Sequence, residues 1–111
     1  MAKLYIGENI ETAMELVLLA ANDYDIYKSR VEPITKNLQR KMEKGIFNQE
    51  KAVKLVMYLM NDVAKKYAKV YCDIHTPWYK VFTVSDRKIA AEMWVDDFLN
   101  SNNSPFSAIN F

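Results

Sequence analysis

A chain of 111 residues with only two glycines has few places to turn sharply. Tight β-hairpins need positive φ at their central residues, usually from Gly or an Asn-Gly pair, and no Asn-Gly pair occurs here. Gly7 and Gly45 both stand between apolar-periodic stretches, where they punctuate rather than turn strands. The expected class is therefore all-α, with hydrophobic periodicity defining the elements. Half of the residues are hydrophobic, and 15 Lys plus Arg nearly balance 14 Asp plus Glu, which argues against disorder. At this length about two-thirds of the unfolded surface can be buried, enough for one core without staples. One cysteine rules out an intramolecular disulfide framework and suits a reducing compartment.

Four helices are expected. The first runs from about Ile10 to Ala21, with Asn9 as N-cap and Ile10, Ala13, Met14, Val17, Leu18 and Ala21 on one apolar face. Asn22-Asp23 breaks it or caps the next. The second spans about Tyr24 to Lys44, with an apolar stripe of Tyr27, Val31, Ile34, Leu38 and Met42. That stripe stays in phase across Pro33, so the expectation is one helix kinked at the proline. Gly45 ends it in the left-handed conformation. The third, from Gln49 to about Cys72, has Asn48 as N-cap and no Gly or Pro, giving a rod ~36 Å long. Its apolar arc, Ala52 through Tyr71, is wide enough to contact at least two neighbours and marks it as the central helix. Residues 73–82 read as an apolar connection with a short strand allowed. The fourth starts near Ser85, capped by Ser85 or by a Thr83/Asp86 capping-box variant, and ends at about Leu99. Residues 1–99 form the expected helical domain; 100–111 form an extended or flexible C-terminal tail, with Phe106, Ile109 and Phe111 as its anchors against its own fourth helix or a neighbouring chain.

Charge is unevenly distributed. Residues 1–35 carry three basic and six acidic side chains, 36–69 nine and three, and 70–111 three and five. Lys51, Lys54, Tyr58, Lys65 and Lys69 share one sector of the third helix with Asn61, opposite its apolar arc. Lys36, Arg40 and Lys44 follow one another at four-residue steps on the second. A tight hairpin through Gly45 to Asn48 would place these rows on adjoining helices, forming a face for an anionic partner, either phosphates or an acidic protein surface. The plainer reading is that lysines populate helix exteriors because they form helices well and solubilise them. A sequence pI near 7.8, short of the strongly basic values of nucleic-acid binders, favours that plainer reading. A helix-turn-helix alignment on Gly45 fails, because Lys41 and Lys51 fall where buried residues are required.

Other constellations are weaker. Cys72 and His75, with Asp73 between them, offer fewer ligands than a structural zinc site needs and lack the orienting third group of a nucleophilic dyad. They read as a small buried thiol at a helix end and a capping or solvated imidazole. Glu92 and Asp96 stand one turn apart, a spacing that can hold Mg²⁺ but more often forms a solvated face with basic partners. No phosphate-binding glycine loop, HExxH or GxSxG is present. No enzyme and no cofactor or metal are expected. The longest apolar run, Leu16 to Ala21, has six residues, far below a membrane span, and Glu8, Asn9, Glu11 and Glu15 interrupt the only stretch that could act as a signal peptide.

From Lys44-Gly45-Ile46-Phe47-Asn48-Gln49-Glu50 through Leu55, at Ala64-Lys65-Lys66-Tyr67-Ala68-Lys69, and at Phe82-Thr83-Val84-Ser85-Asp86-Arg87 followed by Ala90, Ala91 and Glu92, the chain resembles small uncharacterised bacteriophage open reading frames. The resemblance covers roughly residues 44–99. It implies a phage-type protein acting in the host cytoplasm or in a virion, and it brings no catalytic residue with it. Surface tyrosines and a fourth helix with two apolar patches point to a non-enzymatic accessory protein that binds a protein partner or forms a homo-oligomer. Nucleic-acid binding through the basic second and third helices is the alternative.

Overall fold

Three short side chains open helices here, and their hydrogen bonds show why. In a computed structural model, which describes residues 10–72 and 75–100, the Asp23 carboxylate accepts from the Ile26 amide at 2.9 Å, and the Asn48 amide oxygen accepts from the Lys51 amide at 2.9 Å. Thr83 and Asp86 bond reciprocally, Thr83 N–H donating to Asp86 Oδ2 at 3.0 Å and Asp86 N–H to Thr83 Oγ1 at 3.2 Å. Each arrangement satisfies amides that the first turn of a helix leaves open. Of the two caps considered for the last helix, the capping box is the one formed.

Among the described residues the protein is all-α, with no strand. Helix α1 is Ile10–Asn22. After Asp23 the chain runs through α2 (Tyr24–Ile26), a π-helical stretch (Tyr27–Val31) and α3 (Glu32–Glu43). Helix α4 is Gln49–Tyr71, α5 is the single turn Trp78–Val81, and α6 is Val84–Asn100. The chain therefore forms a helical turn where a short strand was allowed. Asn9 and the anchors Phe106, Ile109 and Phe111 lie outside the described residues, and α6 continues through Asn100, the first residue assigned to the tail. No described helix is long and apolar enough to cross a membrane.

The in-phase stripe across Pro33 survives by a different device from a simple kink. The turn before the proline is π-helical, with the Glu32 amide reaching back to the Tyr27 carbonyl. A proline within a helix lacks an amide donor and its ring crowds the carbonyl four residues earlier; the wider turn makes room for it and leaves Pro33 in the first turn of α3. Val31, Ile34 and Leu38 are buried as the stripe predicts, while Met42 is exposed.

The core is built where α4 and α6 pack together and α6 packs on α1, with α5 against α4. Trp94, Phe82, Phe98, Leu16, Leu38, Leu59 and Met60 are the largest fully buried side chains of the core. Trp94 stacks on Phe98 at 5.9 Å, and Phe47, at the mouth of the α3–α4 turn, stacks on the other end of this aromatic pair at 6.2 Å from Phe98. One face differs from expectation. On α1 the buried residues are Ala13, Leu16 and Ala20, whereas Met14 and Leu18 are 46% and 52% exposed. The run Leu16-Val17-Leu18-Leu19 is apolar all round, so its own periodicity does not choose a side. Packing on α6 does.

Candidate functional site

The end of the molecule where α3 meets α4 is shaped by the Gly45 turn. Gly45 adopts φ 72°, the left-handed region open to glycine. Its amide donates to Met42 O at 3.1 Å and that of Ile46 to Lys41 O at 2.9 Å. This paired pattern closes the helix as a Schellman motif and satisfies the last carbonyls. Three residues later Asn48 starts α4. The expected tight helical hairpin is formed, yet α3 makes only sparse contact with α4.

Between them lies an open groove of about 630 Å³. Leu38, Phe47, Ala52 and Leu55 form its floor; Lys41, Lys51 and Lys54 stand around it with Ile46 and Tyr58. Ile46 is 61% exposed and Tyr58 65%, whereas Leu38 and Ala52 beneath them are buried. None of the three lysines forms an ion pair among the described residues.

The eight residues expected to form one anionic-partner face are all exposed, but the fold divides them. Lys51, Lys54 and Tyr58 converge on the groove. Lys36, Arg40 and Lys44 do not line it: at about 100° per residue they point roughly opposite to Leu38, whose face of α3 turns inward. The rows are on adjoining helices without forming one surface. Lys65 lies 5.3 Å from the centre of the Trp78 ring, and Lys69 stands about three turns beyond Tyr58, the last groove residue on α4. Lys41 and Ile46, which do line the groove, were not singled out by charge or apolar spacing. Their signals are local: Lys41 is one turn from Leu38, and Ile46 is the residue after a left-handed glycine, where an apolar contact commonly accompanies the motif.

Elsewhere, opposite charges are engaged within the molecule. Asp23 accepts from Lys66 Nζ at 2.7 Å and from the Tyr67 hydroxyl; these hydrogen bonds, Lys66 first, hold its carboxyl well below the usual carboxylate range. Arg30 pairs with Asp62, and Lys28 with Glu32. The Tyr71 hydroxyl donates to Glu15 at 2.7 Å. Arg87 is buried and forms no salt bridge among the described residues. It donates to Asn61 Oδ1 at 2.6 Å and to the Phe82 and Thr83 carbonyls at 3.1 and 3.2 Å, and its guanidinium lies 4.7 Å from the Trp78 ring centre. Burial lowers its pKa from the ordinary arginine value.

The weaker constellations fall as follows. Cys72 is exposed, contrary to the buried thiol expected, because the buried face of α4 ends at Ala68 and its last turn, Val70 and Tyr71 included, reaches solvent. Glu92 and Asp96 border a shallow depression with Lys54, Lys88 and Glu50, so their surroundings carry both signs of charge. Among the described residues no group of three or more His, Cys, Asp or Glu is placed to hold a metal ion.

No family model, curated protein or solved structure matches the chain.

Proposed function

We propose that the protein is a non-enzymatic accessory protein of phage type, acting in the cytoplasm or in a virion by binding a protein partner or a copy of itself. The observation that supports this is the α3–α4 groove, where the exposed apolar side chains Ile46 and Tyr58 stand beside three lysines that form no ion pair among the described residues. Protein segments with apolar anchors and carboxylates match both features, whereas a phosphate backbone matches only the lysines. In this reading α4 is the central element of a four-helix scaffold, whose task is to hold the groove walls in place.

Nucleic-acid binding is the second reading, supported by exposed Tyr58 between Lys54 and the lysines further along α4, where an aromatic ring can stack on a base. Retention on single- and double-stranded oligonucleotides across a salt series separates the two. Phosphate binding weakens steeply with salt, and its slope falls by about one for each contacting lysine removed. The expected result is no specific retention even at low salt. For the protein-binding reading, capture from host lysate with the wild-type chain and with Ile46→Asp should yield a partner that the variant loses; equal yields from both would count against the groove as the binding surface.

A further inference from the structure

The lysine-edged groove has a chemical counterpart on the same chain. Met14 and Leu18, one turn apart on α1, face solvent although both are large and apolar. Glu11, one turn before Met14, is exposed on the same side and forms no ion pair among the described residues. This is the pattern by which a helix enters a groove: two apolar anchors at i and i+4, with charge beside them. The groove presents the reciprocal pattern, apolar residues flanked by Lys41, Lys51 and Lys54. Its wall from Asn48 to Tyr58 is ~15 Å long at 1.5 Å per residue, room for the two turns that carry Glu11, Met14 and Leu18. Helix α1 packs on α6 and α4 of its own molecule and contributes nothing to the groove lining. The match can therefore be met only between molecules.

The charge distribution favours this occupant. The first third of the sequence is net acidic and the middle third strongly basic. Asp23, Glu32 and Asp62 are paired within the molecule, while Lys41, Lys51 and Lys54 at the groove and Glu11 on α1 are among the charged groups that form no ion pair among the described residues. A single chain carrying both unpaired ends attracts its own copies in a fixed orientation.

We propose that the protein self-associates by seating the Met14–Leu18 face of α1 in the α3–α4 groove of a second copy, with Glu11 of one molecule against the lysines of the other. This rests on the reading of the groove as a protein-binding surface and names its occupant. Two such contacts formed reciprocally close a two-fold dimer, and one contact repeated head to tail gives an open chain.

Sedimentation velocity of the full chain, over rising protein concentration and at low and moderate salt, tests this. The wild-type protein should exceed the monomer mass as concentration rises, and less so at moderate salt. Leu18→Asp and Ile46→Asp alter exposed side chains, so each should keep its helical circular dichroism while sedimenting as a monomer. Mixing the two variants restores one intact face on each partner, and a heavier species should return. Glu11→Lys, and Lys51→Glu with Lys54→Glu, should each weaken association, and the protein carrying all three changes should regain it. A wild-type monomer at every concentration overturns the proposal, as does association that both aspartate variants leave intact. If a monomeric protein still captures a partner that Ile46→Asp loses, the self-docking inference fails while the protein-binding reading stands; if it instead binds oligonucleotide through Lys51 and Lys54, both fail.

Discussion

Asp23 does three things with one carboxylate: it caps the Ile26 amide, pairs with Lys66 and accepts from Tyr67. Because its folded pKa is depressed, its stabilising contribution is complete above the ordinary carboxylate range and is lost as pH falls through that range toward the depressed value. Lys66 and Tyr67 are raised, first by their hydrogen bonds to Asp23, so their share is complete below the ordinary Lys and Tyr values and fades as pH climbs through the raised ones. Urea unfolding across pH should show Asp23→Asn flattening both limbs, since the amide can still cap but no longer carries charge. Asp23→Ala also removes the cap, at about 1 kcal/mol more. Arg87 gives a second prediction at this scale. Its planar fork serves three oxygens beside the Trp78 ring, and a lysine cannot reproduce that geometry. Arg87→Lys should cost about 1–3 kcal/mol in chemical unfolding, because the buried Phe82 carbonyl and the part-buried Asn61 lose a donor, while the Thr83 carbonyl keeps the Arg87 amide.

Helix ends are where local chemistry speaks most clearly. Gly45 has nothing within 4 Å of the position a Cβ would take, so Gly45→Ala meets only backbone strain, about 1–2 kcal/mol for a left-handed alanine, measurable by thermal or urea unfolding. Thr83→Ala should cost about 0.5–2 kcal/mol by breaking the reciprocal bond with Asp86. The four boundaries set by Asp23, Gly45, Asn48 and Thr83 were readable because each capping side chain or left-handed turn acts on backbone groups within five positions. Faces were less readable. On α4 the hydrophobic arc is bounded by lysines and the buried residues fall within it. On α1 the apolar residues nearly encircle the helix, and of the expected face Ala13 is buried while Met14 and Leu18 are exposed. Pro33 is an intermediate case: the unbroken stripe predicted continuity, but the π-helical turn that achieves it leaves no mark in the pattern.

At the scale of the molecule, α4 packs against α6, α5, α1 and, more thinly, α3, and Met60 lies fully buried within it. Met60→Ala should lower unfolding free energy by about 2–5 kcal/mol, the range for truncating a buried large side chain. Stability close to wild type would show that α4 does not organise the core. The groove arises at this same scale. Its residues come from α3, the turn and α4, and it exists because α3 makes only sparse contact with α4.

The all-α class and most ends of the long helices were legible in the sequence alone. Too few glycines for hairpins, apolar spacing near 3.6, and capping residues within a few positions of the amides they serve leave little choice but helices bounded at Asp23, Gly45 and Asn48, with Thr83 or Ser85 opening the last. The tertiary structure decided what those elements expose. Whether Leu16 or Leu18 is buried depends on where α6 lies, whether Lys36 and Lys51 share a surface depends on how α3 is rotated, and whether Cys72 is covered depends on how far its neighbours extend. Each of these is a relation between segments distant in sequence, and the energy that settles it is burial against a surface that no local pattern contains.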